Sequence, residues 1–211
     1  MTVRPIRPEE KLTFDKIQTI AFLLSRNFNK EDADASKTGE SYKTGRAAFD
    51  NNGKMCSCLN LLPFSITFDG STVPMGGIGG VASLPEERDK KYIRSIFEYV
   101  MNEMYENGCV FSYLYPFSHA YYRKFGYELN MTSIKYTIPV TSFRHFVQTG
   151  RLKLMEDDSD KQAVMAVYDE YIRDKNLAVV RGDRHWKKRF DNDPYRDNVY
   201  LYIWYNSRDE A

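Results

Sequence analysis

No run of about 18 apolar residues occurs in the 211-residue sequence, so no transmembrane helix is expected. The opening Met1-Thr2-Val3-Arg4-Pro5-Ile6-Arg7-Pro8 has no apolar signal-peptide core, and a cytoplasmic location is the expectation. Charge of one sign is not in excess: 30 basic and 29 acidic residues leave a net charge of +1. That balance gives no support to a nucleic-acid or membrane partner. Cysteine is scarce. Cys56, Cys58 and Cys109 make an odd count without a secretion signal, which argues against a disulfide framework. Strand alternation would put Cys56 and Cys58 on one face. Histidine is scarcer in effect, because His119, His145 and His185 have no paired Cys/His spacing, so no metal site is expected. His119 has the chemistry of a base but reads as a surface residue.

What is present is a hydrophobic fraction of 42%, enough for a packed core, in a length that allows one large or two small domains. The chain is organised around residues 78–127. Residues 78–84 form a short apolar run with small residues, suited to a buried strand. Residues 88–107 carry Ile93, Ile96, Phe97, Val100, Met101 and Met104 at the spacing of one helical face, and Gly108 stands where a helix end favours positive φ. Residues 110–115 are a second strand-like run ended by Pro116. Strand, helix and strand in about 35 residues predict a parallel crossover unit. The turn Pro85-Glu86-Glu87-Arg88-Asp89-Lys90-Lys91 leads into the helix start, where unpaired N–H groups can hold phosphate oxygens.

V-A-S-L-P-E-E-R (81–88), the amphipathic helix and Y-P-F-S-H-A-Y-Y-R-K-F-G-Y (115–127) resemble the GNAT superfamily of acetyl-CoA-dependent N-acetyltransferases. More narrowly they are similar to its Eis (enhanced intracellular survival) type, and Tyr122-Arg123-Lys124-Phe125-Gly126-Tyr127 is the more specific match. The resemblance implies transfer of acetyl from acetyl-CoA to a primary amine, on a small molecule or a lysine, by direct attack without a covalent enzyme intermediate. It assigns proton donation to the departing thiolate to Tyr122. It assigns acetyl-CoA binding to Val81, Ser83, Arg88, Asp89, Lys90, Lys91 and Ile93, in large part through backbone amides. Two of these depart from the family pattern. Lys91 stands where the family usually has Gly, and Ile93 where it has Ala or Gly; a Gly lets the backbone approach phosphate with no side chain in the way. The family's chain-terminal carboxylate has no counterpart at Ala211, so the general base is unassigned. The alternative reading is a non-catalytic CoA-binding or assembly fragment with a degenerate pyrophosphate loop.

The remaining elements follow in order. Residues 3–6 read as an opening strand and 9–28 as a helix, with Phe14, Ile17, Ala21, Leu24 and Phe28 on one stripe. Residues 29–43 are polar and read as a loop; the resemblance places such a loop at the acceptor site. Asn52-Gly53 and Asp69-Gly70 are hairpin signals, joining runs 46–50 to 55–62 and 64–68 to 73 onward. Residues 128–140 alternate and read as a closing strand. The fold class is therefore α+β: a GNAT-like mixed sheet flanked by helices over residues 1–140, then a connector and the truncated start of a second GNAT-like α/β segment over 141–211. In that tail, 142–155 reads as connector and Ser159 through Gln162 as a capping box. Asp183 reads as the cap of a short helix, and 199–205 as an aromatic strand without a sequence partner. Such an edge recruits strands, so it is expected to pair with the first domain or with another copy, giving a homo-oligomer.

Overall fold

The computed structural model describes residues 1–26, 28, 40–191 and 193–211. Most of the expected polar loop, residues 29–39, lies outside them. The described chain forms two compact units, one of residues 1–64 and 73–129, the other of residues 65–72 and 130–211.

The first unit is built on a sheet ordered β1 (Thr2–Pro5), β2 (Gly45–Phe49), β3 (Met55–Phe68), β4 (Ser71–Ser83), β5 (Phe111–Leu114). β1, β2 and β3 pair antiparallel in turn, whereas β4 and β5 are parallel. The crossover between β4 and β5 carries α2 (Tyr92–Glu106), so the mixed α+β architecture expected from the sequence is the one observed. Both hairpin signals sit at turns. Gly53 has φ 81°, and Asp69 and Gly70 have φ 48° and 71°, the two positive angles of a type I′ turn. The runs 55–62 and 64–68 are one strand, because Pro63 sacrifices a donor without leaving the strand region of φ.

Each sheet face has its own helix. Ile6, Phe14, Ile17, Ala47, Phe49, Cys58 and Ala82 pack around α1 (Lys11–Ala21). Ala48, Leu59, Ile78, Ile96, Phe97, Val100, Met104 and Tyr122 pack around α2 and α3 (His119–Arg123). Neighbours Ala47/Ala48 and Cys58/Leu59 divide between the clusters, as alternation across a sheet demands. Arg46 of β2 ties α2 down, donating to Glu103 from Nε at 2.8 Å and Nη2 at 2.5 Å.

Helix ends explain two departures from the sequence reading. α1 stops at Ala21 rather than running to Phe28. Leu23 takes φ 52°, its N–H bonds Ile20 O, and Leu24 N–H bonds Thr19 O. This is a Schellman cap formed without glycine, and it turns Leu24 out of the stripe. α2 starts at Tyr92 rather than Arg88, after a 3-10 turn at Pro85–Glu87. Its C-terminus is as expected: Gly108 has φ 70°, with Gly108 N–H on Tyr105 O and Cys109 N–H on Met104 O.

Residues 128–139 are not the expected closing strand. They form no helix or strand, and Met131, Ile134 and Tyr136 are exposed. Alternation alone cannot make a strand without a ladder partner.

In the second unit the β3–β4 hairpin tip pairs with β7 (Val179–Val180), Ser65 opposite Val180. α4 (Asp158–Ile172) is capped by Asp157, whose carboxylate accepts from Asp160 N–H, so the capping box starts two residues before the expected Ser159. Asp160 is buried and accepts from Lys153 Nζ at 2.5 Å and Glu156 N–H at 2.9 Å. α5 (Asp183–Phe190) has Gly182, not Asp183, as its cap residue; α6 (Pro194–Asp197) follows. The aromatic strand does have a partner in its own chain. β8 (Tyr202–Tyr205) pairs antiparallel with β6 (Arg151–Leu154), a strand inside the segment read as connector. Neither the first domain nor a second copy is needed to pair it.

Candidate functional site

The site is built on the far half of β4. β5 pairs with Met75 through Ile78 of β4 and no further, so among the described residues 79–83 have no strand on that side. Within this open stretch the alternation slips. Ile78 and Val81 both pack in the α2-face cluster, and Ala82 packs in the α1-face cluster. An odd spacing on one face requires an extra residue, and Gly80 supplies it with φ 59°. Glycine takes that angle without strain. A Cβ on Gly80 would lie 2.2 Å from Gln18 Nε2 and 2.9 Å from Asn60 Nδ2. Gln18, on the inward side of α1, donates from Nε2 to Gly80 O at 2.9 Å, and Asn60 Oδ1 accepts from Thr44 Oγ1 at 3.0 Å.

β4 then leads into the loop before α2. Ser83 Oγ lies 2.7 Å from Ser57 Oγ. Asp89 and Lys91 are both left-handed, at φ 64° and 66°, and Lys91 is the N-cap residue of α2. Glu87, buried, holds this shape from inside. It accepts from Lys54 at 2.8 Å, across from the β2–β3 turn, and from Lys90 at 2.9 Å. These two ammonium groups hold its carboxyl well below the usual range, at about 2. Lys90 is thereby spoken for. Arg88 and Lys91 are exposed and have no ion pair among the described residues. The first amides of a fifteen-residue helix therefore open beside two available cations, a setting suited to phosphate.

Tyr122 is the third component. Ser118 caps α3 by accepting from Tyr121 N–H. Gly126, at φ 87°, closes it, with Gly126 N–H on Arg123 O and Tyr127 N–H on Tyr122 O. That closure folds Phe125 and Tyr127 back onto α2. Phe125 stacks on Phe97 at 4.1 Å, and Tyr122 and Tyr127 meet the same ring edge-on at 6.2 and 6.1 Å. Tyr127 is anchored in turn, its hydroxyl 2.5 Å from Ser112 Oγ. The F-G-Y motif is thus a packing device that seats Tyr122 in the cluster it shares with Val81. Tyr122 is 4% exposed, and burial first, then the Tyr121 and Tyr127 hydroxyls, push its phenol up to about 12. It stays protonated at neutral pH and can donate.

The sequence profile of the acetyltransferase (GNAT) domain matches residues 2–130. The chain belongs to the GNAT acetyltransferase family. No curated protein matches it. Among solved structures it is similar to a conserved protein from Enterococcus faecalis described as a probable N-acyltransferase. Identity is 23% over 100% of this chain and 53% of that one, with a TM-score of 0.79. It is also similar to a GCN5-related N-acetyltransferase from Anabaena variabilis, at 21% identity over 89% and 47%, TM-score 0.69. A third is Eis1 from Mycobacterium abscessus, at 16% identity over 98% and 51%, TM-score 0.70. At these identities the likeness is one of fold, and the chain spans about half the length of each.

Within this GNAT domain the expected residues fall into three groups. Val81 and Ser83 lie on the open half of β4; Arg88, Asp89, Lys90 and Lys91 form the loop; Tyr122 sits across the α2-face cluster. Ile93 turns its side chain into that cluster. Sequence reasoning missed Gln18, Lys54, Gly80 and Glu87. Gly79-Gly80 inside a strand was a readable sign of a bulge. The Glu87 and Gln18 contacts span 33 and 62 residues, and local pattern carries no trace of them. Cys56 and Cys58 find different neighbours, Cys56 beside Tyr92 and Cys58 in the α1-face cluster. No group that could hold a metal occurs among the described residues, nor any helix long and apolar enough to cross a membrane.

Proposed function

We propose that the chain transfers acetyl from acetyl-CoA to a primary amine, on a small molecule or a lysine, by direct attack. The observation that carries this reading is the convergence, on the free half of β4, of a left-handed loop at an open helix start with a protonated tyrosine. The α2 amides, Arg88 and Lys91 hold the pyrophosphate, and the backbone of Val81 and Ser83 holds the pantetheine arm. The attacking nitrogen forms the new N–C bond as the C–S bond breaks. Tyr122 hands its proton to the departing sulfur and is restored by the proton the nitrogen loses. A phenol at about 12 is a weaker acid than an ordinary thiol at about 8.5. Transfer to the thiolate is therefore uphill by itself, and recapture of the nitrogen's proton by the phenolate draws it forward.

The Eis-type assignment draws support from the 115–127 motif and from the likeness to Eis1 across nearly the whole chain. On that reading residues 141–211 begin a second GNAT-like domain, and the protein works in the cytoplasm without nucleic-acid or membrane partners. A homo-oligomer remains part of the proposal on a different ground from strand pairing. The facing pair Leu152 and Trp204 leaves an apolar face of the β6–β8 ribbon exposed.

Titration calorimetry with acetyl-CoA and a panel of primary amines tests the reading. Binding and turnover are expected from the wild type. Tyr122→Phe is expected to keep binding within a few-fold while turnover falls about 10²-fold or more. Binding with no turnover toward any amine favours the non-catalytic CoA-binding alternative; no heat at millimolar acetyl-CoA removes the cofactor claim.

A further inference from the structure

On the inward side of α1, the Gln18 side chain makes a hydrogen bond at the point where β4 changes face. A carbonyl oxygen can only accept, so chemistry fixes which end of the Gln18 amide meets Gly80 O: the nitrogen donates, at 2.9 Å. The bond draws the Gly80 carbonyl toward α1. In a trans peptide the following N–H points the opposite way. The following residue is Val81, so its N–H points away from α1, on the side where Val81 and Tyr122 share a cluster. Gly80, at φ 59°, has a backbone with more than one low-energy setting, because a glycine visits positive and negative φ with similar ease. Something must choose between them, and Gln18 is hydrogen-bonded to the carbonyl of the peptide concerned.

We infer that Gln18 is a positioning residue: it locks the Gly80–Val81 peptide so that Val81 N–H is aimed at the thioester carbonyl of bound acetyl-CoA. This deepens the acetyltransferase reading above and rests on it. A donor fixed before charge develops costs no reorganisation during the reaction, and its value depends on direction. Gln18 would thus influence the acetyl group through one peptide unit without touching it. A purely structural role, holding α1 against the sheet, would alter stability and leave the carbonyl unaffected.

The test reads the carbonyl directly. Acetyl-CoA carrying ¹³C at the thioester carbonyl is bound to the protein, and isotope-edited infrared spectroscopy compares its stretching frequency with that of the free ligand. Calorimetry on the same samples establishes occupancy. Wild type is expected to lower the frequency, and Gln18→Met, of similar length without a donor, to lose most of that shift while still binding. Gln18→Glu keeps the test open if the methionine variant fails to fold. When protonated, the acid donates to Gly80 O; when ionised, it can only repel it. Its shift is therefore expected to be present at about pH 3.5, below the ordinary carboxyl pKa of about 4.3, to fade toward pH 8, and to be pH-independent in wild type. Binding with no wild-type shift, or with a shift that Gln18→Met and Gln18→Glu leave unchanged at both pH values, overturns the inference alone. Absence of wild-type binding overturns the acetyltransferase reading and this inference with it.

Discussion

Lys91→Gly separates what the loop costs the fold from what it offers a ligand. Lys91 stands at φ 66° at the head of α2, and its carbonyl accepts the Ser95 N–H of the helix. A left-handed angle costs a side-chain-bearing residue about 1–2 kcal/mol. Glycine removes that strain but gives back about 0.5–1 kcal/mol of backbone entropy in the unfolded chain. The balance is a gain of about 0.5–1 kcal/mol, which in a protein of this size raises the melting temperature by about 1–4 °C. Because the angle is already left-handed without ligand, this gain belongs to the free protein and should not appear as tighter binding. What binding loses is one exposed cation near the phosphates, worth up to about 1 kcal/mol, or up to about fivefold in Kd. The variant should therefore melt higher, bind CoA equally or up to about fivefold more weakly, and show a flatter dependence of Kd on salt. Calorimetric melting and CoA titration at two salt concentrations check all three. A lower melting temperature would mean that Lys91 is not left-handed in solution. Binding tightened several-fold would mean that its side chain obstructs the phosphate site rather than assisting it.

Gly80→Ala should destabilise the fold by about 1–3 kcal/mol, because it combines a left-handed angle with a Cβ driven 2.2 Å from Gln18 Nε2; unchanged thermal melting would count against the bulge. Glu87 sits at about 2 when folded, below its ordinary 4.5, so the stability it supplies is complete above about pH 4.5 and is lost as pH falls toward 2. Glu87→Gln should flatten that acid limb in melts taken from pH 6 down to 2.5, and an unaltered limb would show that Lys54 and Lys90 do not hold it. Tyr122 is raised to about 12, so turnover should show no alkaline loss traceable to its ionisation below pH 10. A limb near 10 present in wild type and abolished in Tyr122→Phe would contradict its burial.

Wherever a residue's role is set by its near neighbours, the sequence carried it. The i, i+3, i+4 spacing from Ile93 to Met104 placed α2, Gly108 marked its end, and Asn52-Gly53 and Asp69-Gly70 marked both turns. The strand–helix–strand crossover and the mixed sheet followed from the order of these elements. The R-K-F-G-Y motif was legible through the family resemblance, and in the structure Gly126 closes its helix and the rings gather around Phe97. Reading failed where a partner far along the chain decided the outcome. Residues 128–139 alternate like a strand and form no ladder among the described residues, while Arg151–Leu154 looked like connector and became a strand because β8 lies beside it. α1 ended early through a left-handed Leu23 that propensity argues against. The site divides along the same line. In the sequence, the family resemblance singled out Tyr122 as the expected proton donor and Arg88 and Lys91 as expected phosphate contacts. Only the tertiary structure decided that Lys90 is engaged by Glu87, that burial keeps Tyr122 protonated, and that Gln18 meets the carbonyl of Gly80. Charge, desolvation and peptide direction depend on distance in space, and distance in space is what a linear pattern of residues does not contain.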